Sequence, residues 1–367
     1  MDRKYSFMKL EGSNFEIGKF IGNKCKDIPG IASLLYNNEL LISEKDAKNM
    51  YKMFDDYCPG INCELEGFAD AMGIEPIKVL YYTMTYLKPG CSQFVLMPSK
   101  TENGHTILAR TYDFSDLQDE LKLTLTKIKG KYAHISSSIM QFGRGDGINE
   151  QGLAVSQTSS GVPVGNFDFA AKPAIVGLQF WAVIRSVLEN CKTVEDAVRF
   201  TKDMPIAFNI NLMVADKNEA ALIETYNGEK AIRRIDSGSE KQFLSSTNHI
   251  HMEELKKHSP KSMRNSVSRY ELLEKELGQN NKISKAFIRK LLSTKYPEGL
   301  CCHYYDEFFG NLRSIIFDVE DISVDICFGS PALNDWYSFN FESKDDFGEY
   351  SFILEKENAA KDFYDMI

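Results

Sequence analysis

The chain has 367 residues, of which 43% are hydrophobic and 26% charged, and its formal net charge is −9. This length suits two domains or one large α/β domain with a sizeable core, and the acidic balance makes nucleic acid and anionic membranes poor partners. The first residues lack the apolar run of a signal peptide and no stretch approaches about 18 uninterrupted apolar residues, so we expect a cytoplasmic protein.

Residues 1–90 are predicted to be mainly helical. Apolar residues recur there at mixed spacings of three and four, which is typical of amphipathic helices. Pro-Gly pairs at 59–60 and 89–90 are strong turn signals and end two of these segments. The predicted helices cover 32–58, 62–74 and 75–87.

After Cys91 the sequence becomes β-rich. Short segments of β-branched and aromatic residues are separated by Gly, Asn or charged turns, which predicts strands joined largely by hairpins. The predicted strands lie within 91–99, 105–114, 121–130, 132–142 and 152–160.

Helices and strands then alternate in blocks. Two helices are predicted over 174–191 and 193–204, the second opened by a Thr193 cap with Asp196 three residues on. Strands follow over 209–236, where the Asn-Gly pair at 227–228 predicts a tight hairpin. Further helices over about 266–293 precede closing strands over 313–329.

This order of elements favours one fold class. Strand blocks that contain hairpins and alternate with helix blocks predict α+β architecture, with antiparallel sheets covered by helices in four αββα layers. A doubly wound parallel sheet would need a helix after nearly every strand, and residues 91–160 show none.

Cysteine usage gives no sign of a disulfide scaffold or a zinc site. No CxxC pair occurs, and Cys301-Cys302-His303 is the one metal-like run. Adjacent side chains diverge and no second ligand cluster stands nearby in the sequence, so we expect neither a metal nor another cofactor. Most cysteines are expected to be small core residues. The eight lie at positions 25, 58, 63, 91, 191, 301, 302 and 327.

Cys91 stands directly after the Pro-Gly pair in LKPGCSQF, residues 87–94. A thiol is nucleophilic only as thiolate and needs a base or a cation. None of the six histidines stands in a recognisable Cys-protease context, which leaves a Cys/His pair open. The other available base is an α-amine: cutting the Gly90–Cys91 bond would free one with an ordinary pKa of about 7.7–8.0. Gly90 would help the cut, since it can adopt strained conformations.

Arg110 and Asp113 are the candidate partners of this thiol. Alternate residues of a strand share a face, and an intervening bend could bring both side chains to one site. The arginine would favour thiolate, and the aspartate would orient the amine or thiol and hold the proton. The alternative is an ordinary salt bridge near a strand end.

Segments spread in order along the chain resemble the acyl-CoA:6-aminopenicillanate acyltransferase family, the isopenicillin-N acyltransferase-like branch of the N-terminal-nucleophile (Ntn) hydrolases. The chain is more distantly similar to choloylglycine hydrolases and penicillin V acylases. The opening segment, the glycine-containing pro-region helix and GCSQF, which looks like a self-cleavage site, all match. The matching segments are 10–22, 64–74, 90–94, NGHTILARTYDF, GINEQGLAVSQTSSG at 147–161, 211–225, SSTNHI at 245–250, NSVSRYELL at 265–273 and the closing strands.

The resemblance implies a role for each matching residue. Cys91 would be the nucleophile and its freed amine the base, with Asp113 binding that amine and Arg110 beside the thiol. Asn248 resembles the side-chain amide that steadies the oxyanion, and Arg269 the distal arginine that supports the site. The alternatives are a turn-forming asparagine and a helix-surface arginine.

One position departs from the relatives. Choloylglycine-type enzymes carry a second oxyanion asparagine ten residues after the Asn of their Asn-Glu-x-Gly-Leu segment. Counting from Asn149 reaches Ser159, so we expect Ser159 or a backbone N–H near it to supply this contact. The change argues against a standard bile-salt hydrolase.

The resemblance implies an Ntn-hydrolase fold and a self-processed enzyme. Residues 1–90 would form a small subunit that stays bound to a catalytic domain, 91–367. The expected substrate is a small N-acyl amine or N-acyl amino acid with a hydrophobic acyl group, cleaved through a Cys91 thioester. Hydrolysis or acyl transfer stays open, as does a homo-oligomer. The alternatives are a Cys/His peptidase active without cleavage and an unprocessed binding protein.

Overall fold

The computed structural model describes residues 2–28, 30–31, 35–36, 43–83, 90–162, 164, 171–343 and 345–367. The predicted helices over 32–58 and 75–87 lie partly outside these residues. The α-helices are α1 (Asn14–Cys25), α2 (Glu44–Tyr57), α3 (Ile61–Met72), α4 (Pro76–Thr83), α5 (Phe180–Asn190), α6 (Val194–Lys202), α7 (Arg264–Gln279) and α8 (Lys285–Ser293). The strands are β1 (Asp2–Gly12), β2 (Gly90–Leu96), β3 (Ile107–Phe114), β4 (Lys122–Ile128), β5 (His134–Ile139), β6 (Gly143–Asn149), β7 (Ala154–Ser159), β8 (Ile210–Ala215), β9 (Glu219–Tyr226), β10 (Glu229–Asp236), β11 (Phe243–Ser246), β12 (His303–Tyr304), β13 (Phe309–Asp318), β14 (Ser323–Phe328), β15 (Trp336–Phe339) and β16 (Phe347–Ile353).

The strands form two sheets. The larger has the order β10-β9-β8-β7-β6-β5-β4-β1-β16, and the smaller has the order β11-β2-β3-β13-β14-β15 with β12 also paired to β13. Neighbouring strands are antiparallel except for β1 and β4, which are parallel. Hairpin connections account for most of this pattern, because antiparallel neighbours need only short turns.

The sheets stack face to face between helices. Strand β2 of the smaller sheet contacts β7 and β8 of the larger one. On the outer sides, α5 packs on β6 and β7, while α7 contacts β11 and β2 and α8 contacts β3. This is the predicted four-layer αββα sandwich, and the layer order is confirmed.

Most predicted elements are present. Thr193 caps α6, since its hydroxyl accepts from the Asp196 amide while the Asp196 carboxylate accepts from the Thr193 amide. The Asn-Gly hairpin is also confirmed, with φ of 51° at Asn227 and 84° at Gly228. Strands β1, β6, β11, β12, β15 and β16 were not predicted.

The glycines of β6 explain why its pattern is weak. A Cβ at Gly143 would lie 2.5 Å from the Trp181 side chain, and one at Gly147 would lie 2.8 Å from Leu188. Glycine lets α5 approach this strand closely, so β6 lacks the β-branched residues by which strands are recognised.

Residues before Gly90 are built into the rest of the molecule. Strand β1 pairs with β4 on one side and β16 on the other. Helix α3 carries Glu64, fully buried, which forms a 2.6 Å ion pair with Arg185 of α5. Core side chains from both sides of residue 90 belong to one hydrophobic cluster.

Seven of the eight cysteines are buried, as predicted, and Cys63 is exposed. Among the described residues, no helix has the length and apolar character needed to span a membrane.

Candidate active site

Cys91 is the second residue of β2 and is completely buried. Its side chain lies on the face of the smaller sheet that meets the larger sheet, together with Val95 and Leu108. The opposite face carries Phe94 and Ala109, which pack under α7 and α8. The alternation of side chains along β2 and β3 therefore divides the site between two faces of one sheet.

Arg110 of β3 contacts the thiol directly. Its Nη2 donates to Cys91 Sγ over 2.9 Å, as the prediction placed it. Burial raises the pKa of the Cys91 thiol, and the Arg110 charge opposes this rise without overcoming it. In the uncleaved chain the thiol is thus protonated near neutral pH and needs a base to react.

Asp146 of β6, which the sequence analysis missed, holds Arg110 in place. Arg110 Nη1 donates to Asp146 Oδ2 over 2.7 Å and to the Gly145 carbonyl. Arg313 of β13 contacts the same carboxylate oxygen at 3.3 Å. Burial would raise the pKa of Asp146, but the charges of Arg313 and Arg110 outweigh it and lower that pKa. A carboxylate of the larger sheet therefore aims a guanidinium of the smaller sheet at the thiol.

Asp113 lies on the other face of β3. The strand is continuous from Ile107 to Phe114, so the expected bend between Arg110 and Asp113 is absent. Asp113 accepts hydrogen bonds from Asn311 Nδ2 at 3.1 Å and Thr111 Oγ1 at 3.2 Å. Burial raises its pKa to about 6, against the lowering effect of Arg269.

Asp113 nevertheless neighbours the candidate cleavage site through the backbone. Gly90 and Asp113 are paired residues of β2 and β3. Among the described residues Asp113 has no hydrogen bond to Cys91, whose amide N–H donates instead to Asn248 Oδ1 over 3.1 Å. The expected contact with the freed amine would therefore require a change at this amide.

Asn248 and Ser159 lie together, although they come from distant parts of the chain. Asn248 Nδ2 donates to Ser159 Oγ over 2.9 Å and to the Ser159 carbonyl over 3.3 Å. Its Oδ1 accepts from the Cys91 amide and from Arg269 Nη2 at 2.9 Å. These contacts fix the amide orientation, with its N–H group on the Ser159 side.

Arg269 of α7 is fully buried and is not a helix-surface residue. Its Nη1 donates to the Cys91 carbonyl and to Ser92 Oγ, both over 2.7 Å. Its Nη2 also donates to Asn265 Oδ1 over 2.8 Å. Arg269 thus ties the backbone of Cys91 to the asparagine beside it.

Asn149, from which Ser159 was counted, has a structural role. Its side-chain N–H group donates to the Leu188 and Cys191 carbonyls, and its oxygen accepts from the Gln151 and Leu153 amides. These four bonds hold the turn after β6 against the end of α5.

The described histidines form no hydrogen bond with Cys91, so the Cys/His alternative has no pair at this thiol. The cysteine that does face a histidine is Cys301, whose Sγ lies 3.5 Å from His303 Nε2. Burial raises the pKa of the Cys301 thiol to about 12, which keeps it protonated and unreactive.

His303 also lies near two carboxylates that are far from it in sequence. Its Nδ1 is 3.7 Å from Glu357 Oε1 and 4.0 Å from Glu355 Oε2. Lys295 forms ion pairs with both carboxylates. Their negative charge is thus already balanced in part by a cation of the chain.

The site as a whole combines a buried thiol, a fixed cation and a proton acceptor of intermediate pKa. Gly90 precedes the thiol on the same strand, and its φ lies outside the left-handed region. A left-handed backbone is therefore not what requires glycine at this position. A buried thiol beside a fixed cation and a proton acceptor suits attack of the sulfur on a neighbouring acyl carbon.

Comparison with protein families matches residues 99–333 to the family described as acyl-coenzyme A:6-aminopenicillanic acid acyl-transferase. The match covers well over half of the chain. It includes Arg110, Asp113, Ser159, Asn248 and Arg269, and it begins after Cys91. A comparison with curated proteins finds no matching sequence.

Solved structures show distant likenesses. Penicillin V acylase from Agrobacterium tumefaciens has 20% identity and a TM-score of 0.46, covering 70% of this chain and 87% of that one. A variant of conjugated bile acid hydrolase from Clostridium perfringens has 12% identity and a TM-score of 0.44, covering 74% and 99%. A second variant of that hydrolase has 10% identity and a TM-score of 0.39, covering 76% and 94%.

Proposed function

Because this chain belongs to the acyl-coenzyme A:6-aminopenicillanic acid acyl-transferase family, we propose that it is a self-processed Ntn hydrolase with Cys91 as nucleophile. It would cut its own Gly90–Cys91 bond and then cleave linear amide bonds of small N-acyl substrates. The observation that carries the proposal is the 2.9 Å contact between Arg110 Nη2 and Cys91 Sγ, at a thiol directly behind the candidate scissile bond.

Processing would begin with attack of the Cys91 sulfur on the Gly90 carbonyl carbon. The C–N bond breaks, the acyl group moves from nitrogen to sulfur, and the thiol proton ends on the new amine. Water then hydrolyses the thioester, leaving a carboxylate at Gly90 and restoring the thiol. Residues 1–90 and 91–367 become separate chains that stay bound through β1 and Glu64.

Turnover would follow the same chemistry with an external amide. The freed α-amine takes the thiol proton, Sγ attacks the substrate carbonyl, and the proton passes to the leaving amine. Asn248 Nδ2, with Ser159 or a backbone N–H near it, would donate to the oxyanion. Arg110 stabilises the thiolate, and Arg269 holds the Cys91 backbone. Attack on the thioester by water gives hydrolysis, and attack by a second amine gives acyl transfer.

Asp113 would hold the proton beside the scissile bond and later bind the amine. Its pKa of about 6 means that it is protonated at lower pH and loses its capacity to accept. We expect the rates of processing and turnover to fall as the pH drops through about 6, and Asp113→Asn to slow both at every pH.

The measurement is the rate of fragment formation on denaturing gels between pH 5 and 8, followed by amide hydrolysis. Asp116→Asn is the matched control, since Asp116 is also buried but pairs with Arg3 at 2.7 Å, outside the site. Wild-type kinetics in Asp113→Asn would assign this carboxylate a purely structural role.

The substrate class is tested with a defined panel. N-acetyl, N-octanoyl and N-hexadecanoyl amides of glycine and of 7-amino-4-methylcoumarin would be incubated with protein whose cleavage has been verified by mass. We expect the amides with longer acyl chains to react faster, because transfer of more apolar surface out of water makes the free energy of binding more favourable. Release of no amine from any member would contradict the proposed function.

A further inference from the structure

Gly90 packs against a wall formed by one aromatic ring. A Cβ placed on Gly90 would lie 2.6 Å from Cε2, 2.9 Å from Cζ and 3.0 Å from Cδ2 of Phe309. Non-bonded carbons prefer about 3.5–4.0 Å, so an L side chain at this position overlaps the ring. The backbone of Gly90 lies outside the left-handed region, so the Phe309 ring, and not φ, demands glycine.

The ring cannot easily move aside. Phe309 is 5% exposed and opens strand β13. The Arg269 guanidinium lies 5.0 Å from its centroid, and the Phe363 ring packs edge-on against it at 5.1 Å. Buried aromatic side chains in such contacts are close-packed, so the ring cannot rotate freely out of the way and an overlap produces strain.

Processing and turnover share their nucleophile. In the proposed function, Cys91 Sγ attacks the Gly90 carbonyl once and the substrate carbonyl thereafter. An acyl carbon within reach of the same sulfur and the same oxyanion donors occupies the same place. The α-carbon of a substrate acyl group would then lie where the Gly90 α-carbon lies.

We propose that Phe309 is a specificity-determining residue of the acyl subsite. It admits acyl groups whose α-carbon is a CH₂ and rejects those with a substituent in the position of an L side chain. This inference rests on the proposed function and names its substrate class: amides of unbranched acyl groups, such as straight-chain or glycyl amides. Peptide bonds that follow an L residue are excluded and only those that follow the achiral glycine are admitted, so the site is not that of a general peptidase.

The first test uses processing and needs no substrate. Gly90→Ala should slow fragment formation on the order of 10- to 200-fold, the discrimination that one methyl group typically gives in a closed pocket. Adding Phe309→Leu should restore most of the rate, since leucine lacks the Cε2 and Cζ atoms that the methyl group meets. Gly90→Ala with Phe347→Leu is the matched control, because Phe347 is 58% exposed on β16, and it should stay slow.

Wild-type processing of Gly90→Ala would overturn the inference, and so would a Phe309→Leu background that gives no faster cutting than the Phe347→Leu control. Leucine retains most of the buried volume of Phe309, so we expect the Phe309→Leu variant to fold. Thermal unfolding of both double variants checks this.

The second test uses mature enzyme. The fastest unbranched amide of the panel is compared with the two enantiomers of its α-methyl derivative. We expect one enantiomer, that with the methyl group on the L side, to lose on the order of 10- to 200-fold in kcat/KM, and Phe309→Leu to narrow this ratio. Equal rates for all three amides on cleaved wild-type enzyme would contradict the proposed role of Phe309 in specificity and would leave the proposed function unaffected. A wild-type chain that is neither cut nor active would instead remove the proposed function and this inference with it.

Discussion

Replacing Cys91 by alanine is expected to leave one full-length chain without amide-hydrolysing activity. The wild-type protein, in contrast, is expected to run as two bands on denaturing gels, and N-terminal sequencing of the larger band should begin Cys-Ser-Gln-Phe. The reason is that in the proposed mechanism a single sulfur starts both processing and turnover, and alanine offers no nucleophile. Cys91→Ser is expected to cut slowly, since a hydroxyl makes the same acyl shift less readily.

Cys191→Ala is the control for this experiment, because Cys191 is another buried thiol but lies at the end of α5. It should be cut like the wild type. A wild-type chain that stays uncleaved yet hydrolyses amides at full rate would contradict the N-terminal-nucleophile mechanism. A chain that stays whole and inert would favour the unprocessed binding protein.

Asn248→Ala is expected to lower kcat on the order of 10²–10³-fold, the usual loss when one oxyanion donor is removed. The variant loses the N–H group beside Ser159 and also the acceptor of the Cys91 amide. Processing should slow for the same reason, so kcat is measured on material left to cleave to completion, with the concentration of mature enzyme determined by mass spectrometry.

Asn149→Ala provides the comparison. Asn149 is equally a buried asparagine, but its four bonds go to backbone groups of a turn. It should lower the melting temperature and leave kcat of the folded fraction close to that of the wild type. If Asn248→Ala also lowered only the melting temperature and kept kcat close to that of the wild type, Asn248 would be a turn-forming asparagine with a structural role.

The sequence predicted those parts of the fold whose signals are local. The Thr193 cap and the Asn227-Gly228 hairpin are read from a few neighbouring residues, and both are confirmed. Strand β6 was missed because its glycines serve the approach of α5, a tertiary contact that leaves no strand-like pattern.

The residues of the candidate site likewise differ in whether a local signal in the sequence predicts them. The placement of Arg110 beside Cys91 was predicted from the resemblance, since both residues stand in matching segments. Asp146 and Arg313 were not, because their meeting depends on how two sheets stack, and nothing in their spacing records it. The separation of Arg110 and Asp113 onto opposite faces follows from strand alternation alone, and only the assumed bend concealed it.

Strand β1 gives the cut a thermodynamic consequence, since it lies between β4 and β16. Breaking the Gly90–Cys91 bond would leave these contacts in place but change the molecularity of unfolding. Before the cut, all strands of the sheet belong to one chain, and unfolding is independent of protein concentration. After it, unfolding would release two chains that must meet again to refold, so the apparent stability would depend on concentration. The mature protein would then persist through slow unfolding and not through ready refolding.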